Sequence, residues 1–201
     1  MAGKAPAKGA PVKYLYLDAA PPALAKMAEG ATGTAKSLIA RIDAGLAWPD
    51  KPGVPPPPVI IPLTAPEQAL FEKGKTIYAT LCAACHQPTG TGVEGLAPPL
   101  VDSEWVLGPA DRPARIVLHG LSGPVSVAGT VWRMEMPPLA VLSDADIAAT
   151  LTYVRREWEH NASPVTPADI AKIRAAFPGR TNAWSADELL KTAVPKPGAA
   201  K

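Results

Sequence analysis

The chain has 201 residues, 47% of them apolar, with 20 basic and 18 acidic side chains and a formal charge of +2. That is enough apolar material for a buried core in one or two small domains. A charge so near balance argues against nucleic acid or an anionic membrane surface as the main partner, and no apolar run reaches the ~20 residues of a transmembrane segment.

The opening "MAGKAPAKGAPVKY" lacks the apolar stretch of a signal peptide. A protein working outside the cytoplasm would then be present here as a mature chain, an excised piece or part of something larger. Residues 1–48 read as a helical extension, with two short helices in 19–47 broken at "EGATG". Leu38, Ile39, Ile42 and Leu46 give the second a helical stripe, expected to pack on the main domain or on a neighbour. Proline is the compositional outlier at 25 residues, and many fall in "WPDKPGVPPPPVIIP", residues 48–62. Each fixes φ and lacks an N–H, so 49–63 reads as an extended linker, either tethered loosely or docked through Val59, Ile60 and Ile61.

A helix is predicted from Thr64, with Glu67 three residues on as a capping box and Pro66 in the first turn. Leu70, Ile77, Tyr78 and Leu81 form its expected apolar face, and Gly74 inside it invites close approach of something bulky. Residues 87–110 read as turns, 112–120 as a short helix ended by Gly120, and 125–132 as a brief strand pair. "SDADIAATLTYVRREWEH" is the second strong helix, capped by Ser143. Beyond the main domain at 64–160, residues 161–201 read as a helical extension: a helix with Pro167 at its first position, one capped by Ser185 with Glu188 three on, then a flexible "VPKPGAAK" tail. The class is all-α. Loops this long in a compact domain call for an organising group.

Both cysteines of the chain stand in "CAACH", residues 82–86. A Cys82–Cys85 redox disulfide wants a βαβ context that the pattern lacks. A zinc site wants four ligands, and the chain offers two cysteines and scattered histidines. The third reading is one covalent haem c. Cysteines one helical turn apart reach two adjacent pyrroles, and His86 turns its imidazole to the iron. A haem then needs a sixth ligand or an open site. Met136, in the Pro-braced "RMEMPPL", is the choice, with Met134 its nearest rival and His119 and His160 weaker. His119 is expected to donate to a backbone carbonyl, and His160 reads as a solvated helix end. The proximal imidazole needs a carbonyl for its Nδ1–H, and "APPL" offers Pro98. Leu96, Leu100, Trp105, Ile116, Val117, Leu139 and Tyr153 are candidates to wall the ring, Trp105 or Trp132 to donate to a propionate, and Arg112, Arg115 or Arg133 to balance its charge.

Taken together, "GKTIYATLCAACH", "LAPPL", "MPPL" and "LSDADIAATLTYVRREW" resemble the class I c-type cytochromes over roughly residues 64–160. The resemblance implies the class I cytochrome c fold around one covalent haem, with Gly74 and Tyr78 crossing a C-terminal helix at Tyr153. It implies a monohaem electron carrier that is not itself an enzyme, in the periplasm or otherwise outside the cytoplasm, passing one electron at a time to or from a redox partner such as a dehydrogenase or a terminal oxidase chain. An open-site haem protein that binds a gas or reduces peroxide, or a haem module of a structural assembly, are the alternatives. A narrower likeness, in "GLAPPLVDSEWVLG", "IVLHGLSGPV" and "PVTPADIAKIRAAFPGRTNAWSADELL", is to the C-terminal haem domains of large sugar or sorbosone dehydrogenase-like proteins. It would make the N-terminal helix pair the remnant of a repeat array.

Overall fold

The computed structural model describes residues 14–57 and 59–192. The readings of the opening stretch before residue 14 and of the tail lie outside the described residues. The chain divides into two compact units, Met1–Ile60 and Ile61–Lys201.

In the first unit β1 (Leu15–Tyr16) pairs in parallel with β2 (Leu46–Ala47), and α1 (Pro22–Ala28) and α2 (Gly33–Gly45) lie between them in sequence. The break between the helices is taken by Gly30 and Gly33, both at positive φ (78° and 56°). The predicted stripe is only partly covered: Ile39 and Leu46 are half-buried, while Leu38 and Ile42 are each 50% exposed. In the linker Val59, Ile60 and Ile61 are exposed too, so they are not docked in a core.

The second unit starts on α3 (Ala65–Leu81). The Glu67 carboxylate accepts from the Thr64 N–H and hydroxyl, both at 2.7 Å, and these bonds hold its pKa below the usual carboxylate range. Then come α4 (Ala83–His86), α5 (Glu104–Leu107), α6 (Asp111–His119), the hairpin β3 (Val125–Val127) and β4 (Thr130–Trp132), α7 (Asp144–Arg156), α8 (Pro167–Ala176) and α9 (Ala186–Lys191). The single turn α5, capped by Ser103, lies within the stretch expected to be turns alone.

The central contact is α3 on α7. A Cβ at Gly74 would stand 2.0 Å from the Ala149 carbonyl oxygen and 2.9 Å from Tyr153 Cβ, so only glycine permits this crossing. One turn on, the rings of Tyr78 and Tyr153 sit 5.2 Å apart, Phe71 lies 5.2 Å from Tyr153, and Trp158 closes the cluster 5.6 Å from Tyr78. Leu81, expected on the buried face, is instead 47% exposed, and the buried residues of α3 are Gly74 and Tyr78.

The stretch after residue 160 packs into the same unit. Ile170 and Ile173 of α8 join the core of Ile147, Leu151 and Leu118, while Trp184 and Leu189 form a second core with Ile116, Leu121 and Val125. Two buried cations tie these layers. Arg155 donates to the carbonyls of Val106, Gly108 (2.9 Å) and Ser163 (2.8 Å). Arg115 pairs with Asp111 at 2.6 Å and donates to the Thr192 carbonyl at 2.8 Å, and so is not free to balance a propionate. His160, read as a solvated helix end, is 4% exposed: its Nδ1 lies 2.8 Å from the Val154 carbonyl, and its Nε2 accepts from the Asp102 N–H at 3.0 Å. A carbonyl oxygen can only accept, so Nδ1 carries the hydrogen.

Candidate functional site

Between these cores lies a cleft of about 1120 Å3, its mouth included. Cys82, Cys85 and His86 enter it from the end of α3 and from α4. Leu96, Pro98 and Leu100 come from the loop that follows, and Trp105, Ile116 and Val117 from α5 and α6. Val125, Trp132, Met134 and Met136 line it as well, as do Leu151 and Val154 of α7. Leu139 and Tyr153, expected among the walls, do not line it: Leu139 is fixed by its N–H on the Val117 carbonyl, and Tyr153 belongs to the aromatic cluster at the helix crossing.

The CAACH turn is set by its backbone. Gln87 caps α4 at φ 63°, and the Tyr78 hydroxyl donates to its carbonyl at 2.6 Å. The Gly92 N–H returns to the His86 carbonyl at 3.0 Å. Gly92 stands at φ +70°, and a Cβ there would lie 2.3 Å from the Ala97 oxygen and 2.7 Å from the Pro98 oxygen. The same glycine therefore lets the loop fold back and present the Pro98 carbonyl, which lies 3.0 Å from His86 Nδ1. That carbonyl accepts, so Nδ1 carries the hydrogen and Nε2 keeps its lone pair. Burial holds the imidazole below its usual pKa, against the opposing pull of the Pro98 carbonyl. Gly90, with Trp158 ring carbons as near as 2.6 Å to its absent Cβ, brings the turn against the aromatic cluster. The sequence reading names none of Gly90, Gly92 and Trp158; the glycine spacing in "TGTG" marks the two glycines, and no local signal marks Trp158.

Both thiols are free. Burial, then the neighbouring Cys85, pushes the Cys82 thiol up to about 11. An attacking redox cysteine needs a lowered pKa, which Cys82 does not have. Among the described residues no group of three or more His, Cys, Asp or Glu side chains could hold a metal ion, and a structural zinc site takes four such ligands. Met136 and Met134 both reach the cleft. They differ in backbone support. Met136 exchanges both backbone hydrogen bonds with Leu121, at 2.9 and 3.0 Å, while Met134 is 44% exposed.

The residues fit a haem. The cleft is almost wholly apolar, and two thiols, a tautomer-fixed imidazole and the Met136 thioether all line it. Trp132 Nε1 is buried without a partner and so suits a propionate; Arg112 Nε is buried likewise, and its guanidinium lies 5.1 Å over the Trp105 ring. Of the two tryptophans expected as alternative donors, Trp105 has its indole N–H on the Ser126 carbonyl at 2.7 Å and serves as a wall.

Comparison with known proteins agrees with this geometry. The model of the Cytochrome c family matches residues 71–158. Cytochrome c-552 of Thermus thermophilus is 32% identical over 111 residues, covering 51% of this chain and 84% of that protein. The cytochrome c subunit of the quinone alcohol dehydrogenase of Gluconobacter oxydans is 31% identical over 122 residues, 56% of this chain but 24% of the subunit. The CcoP subunit of the cbb3-type cytochrome c oxidase of Cereibacter sphaeroides is 36% identical over 91 residues, 44% of this chain and 28% of that one. The chain thus spans about a quarter of each of these two larger subunits.

Proposed function

The chain belongs to the cytochrome c family, as a class I c-type domain, and on that footing we propose that it carries one haem c, joined through Cys82 and Cys85 with His86 and Met136 as axial ligands, and transfers one electron at a time between proteins. Haem iron supplies the redox couple, and an axial thioether raises its potential. The protein's part is to bind, orient and exclude water. Pro98 holds the His86 ring by its Nδ1–H, so that Nε2 is the nitrogen that would bind the iron. Apolar walls from Ile116, Val117, Leu151 and Val154 keep water from the ring and favour the form of lower charge. Trp132 and Arg112 offer donors to the propionates.

The observation that carries this reading is the 3.0 Å contact of His86 Nδ1 with the Pro98 carbonyl at the edge of a cleft that also holds both thiols and Met136. We place the protein outside the cytoplasm, where haem is attached. Its partners are then a dehydrogenase or an oxidase chain, a reading that the names of the larger relatives support. Among the described residues no helix is long and apolar enough to cross a membrane.

Mass spectrometry and a visible spectrum of exported protein test the reading together. The expected results are a mass raised by one haem, a sulfur-to-iron band in the far red, and no binding of carbon monoxide to the reduced form. Met136→Ala keeps the added mass, loses that band and has a lower potential. An unchanged potential in Met136→Ala rejects the sixth-ligand assignment, and carbon monoxide binding by the wild type favours the open-site alternative.

A further inference from the structure

The Met136 loop has no helix or sheet of its own; it is held by what surrounds it. Met136 and Leu121 exchange N–H···O bonds at 2.9 and 3.0 Å, and the Leu139 N–H reaches the Val117 carbonyl at 2.8 Å. Gly120, at φ +80°, allows this approach, since a Cβ there would lie 2.6 Å from the Met136 oxygen. The other edge of the Leu121 segment is paired as well: the Trp184 N–H donates to the Gly120 carbonyl at 3.0 Å, and the Ser122 N–H to the Trp184 carbonyl at 2.8 Å. Met136, Leu121 and Trp184 therefore form a three-chain ladder only one residue deep. Trp184 is 1% exposed, set against Phe177 at 5.0 Å and under the Arg180 guanidinium at 3.5 Å. A second hold comes from α8. Arg174 donates to the carbonyls of Ala140 (2.9 Å) and Leu142 (2.8 Å) and pairs with Asp144 at 2.8 Å, gripping the chain just beyond Met136–Pro137–Pro138.

We propose that residues 174–184 are a positioning brace for Met136: Arg174 and Trp184 hold the 134–142 loop against the cleft and so set how firmly the thioether keeps the sixth position. The inference rests on the axial role proposed for Met136. Neither residue lines the cleft, so the effect is indirect. Both lie beyond the 71–158 span that the family model matches. The physical link is competition. An outside ligand binds only while the loop is open, so its apparent affinity scales with the open fraction. Three charge-assisted bonds from Arg174 and the Trp184 ladder keep that fraction small.

The test uses the oxidised holoprotein, titrated with imidazole and followed by its visible spectrum, beside amide hydrogen exchange. Arg174→Gln removes a partly exposed grip and leaves the cores intact; Trp184→Ala is the stronger variant. Arg174→Gln is expected to raise imidazole affinity about tenfold or more, tenfold being the loss of a single charged hydrogen bond at the low end of its range. It is also expected to speed exchange at Leu121, Met136 and Leu139 by a similar factor, with the α3 and α7 amides unmoved. Faster loop exchange with unchanged imidazole affinity overturns the brace, as does no change in either. Uniformly faster exchange in α3 and α7 also overturns it, since that is general loss of stability. Met136→Ala is the control that separates the two readings. If it binds imidazole no better than wild type, the ligand assignment has failed and takes the brace with it. If it binds far better while Arg174→Gln matches wild type, the brace alone has failed.

Discussion

At the scale of single residues, His119 shows how a minor histidine becomes a sensor of pH. Its Nδ1–H donates to the Arg180 carbonyl at 3.3 Å, while Nε2 is buried without a partner. Phe177 and Trp184 present their rings at 6.4 and 6.3 Å. Burial lowers its pKa below the ordinary histidine value, the Arg180 carbonyl opposes this, and the charges of Arg180 and Arg174 add to the lowering. The folded chain therefore resists the proton that the unfolded chain accepts at about pH 6.5. As pH falls through that value the unfolded state binds more protons, so stability is full above it and declines below. The slope from one such group is at most about 1.4 kcal/mol per pH unit. The carboxylates of Glu67, Asp146, Asp169 and Glu188, all held below their usual values, lose their contribution only as pH falls towards and below about 4, and do not interfere. Urea unfolding at pH 7.5 and 5.5 is expected to show wild type losing more stability on acidification than His119→Gln. Equal losses would show that His119 is protonated as readily in the fold as out of it.

At the scale of elements, the α3–α7 crossing sets two effects against each other at Gly74. Replacement by alanine gains about 1 kcal/mol of helix propensity. It also forces a methyl to 2.0 Å from the Ala149 oxygen, and overpacking of this kind costs about 3 kcal/mol or more where backbone must shift. The clash wins: Gly74→Ala is expected to destabilise by about 2 kcal/mol or more, read as a lower urea midpoint, and a variant as stable as wild type would show that the helices separate freely. The helices themselves were legible because their signals are local. Thr64 with Glu67, Ser143, Thr166 with Pro167, and Ser185 with Glu188 each mark a start within four residues. Pro98 could also be read, since rigid prolyl carbonyls near a CxxCH turn are few. What could not be read was tertiary: the Trp105 indole meeting Ser126, Arg115 turning to Asp111 and Thr192, and His160 sinking between Val154 and Asp102 depend on partners that local pattern does not name. Leu81 failed for a related reason, because periodicity gives a face but not how far along it the packing extends.

At the scale of the whole chain, the ladder of Met136, Leu121 and Trp184 was beyond sequence reading, because it consists of backbone bonds indifferent to side-chain identity. It is also why residues 161–192, read as an extension, are structurally part of the cleft's surroundings. The opposite holds at the N-terminus. Residues up to Ile60 form a separate compact unit, and among the described residues every cleft-lining side chain comes from the second unit. The N-cap Thr64 and the anchor of Ile61, whose N–H reaches Asn161 Oδ1 at 3.1 Å, both belong to the second unit. We therefore propose residues 61–192 as the minimal haem-binding domain. A chain beginning at Val59, exported by a supplied leader, keeps the Ile61 amide and is expected to gain the same added mass, show the same spectrum and melt within about 0.5 kcal/mol of the full chain, the range of changes remote from a core. Loss of haem, or a shift several times larger, would mean that the first unit is required for the second to fold. Retention of both directs the search for the role of the first unit to its exposed Leu38 and Ile42, and away from electron transfer.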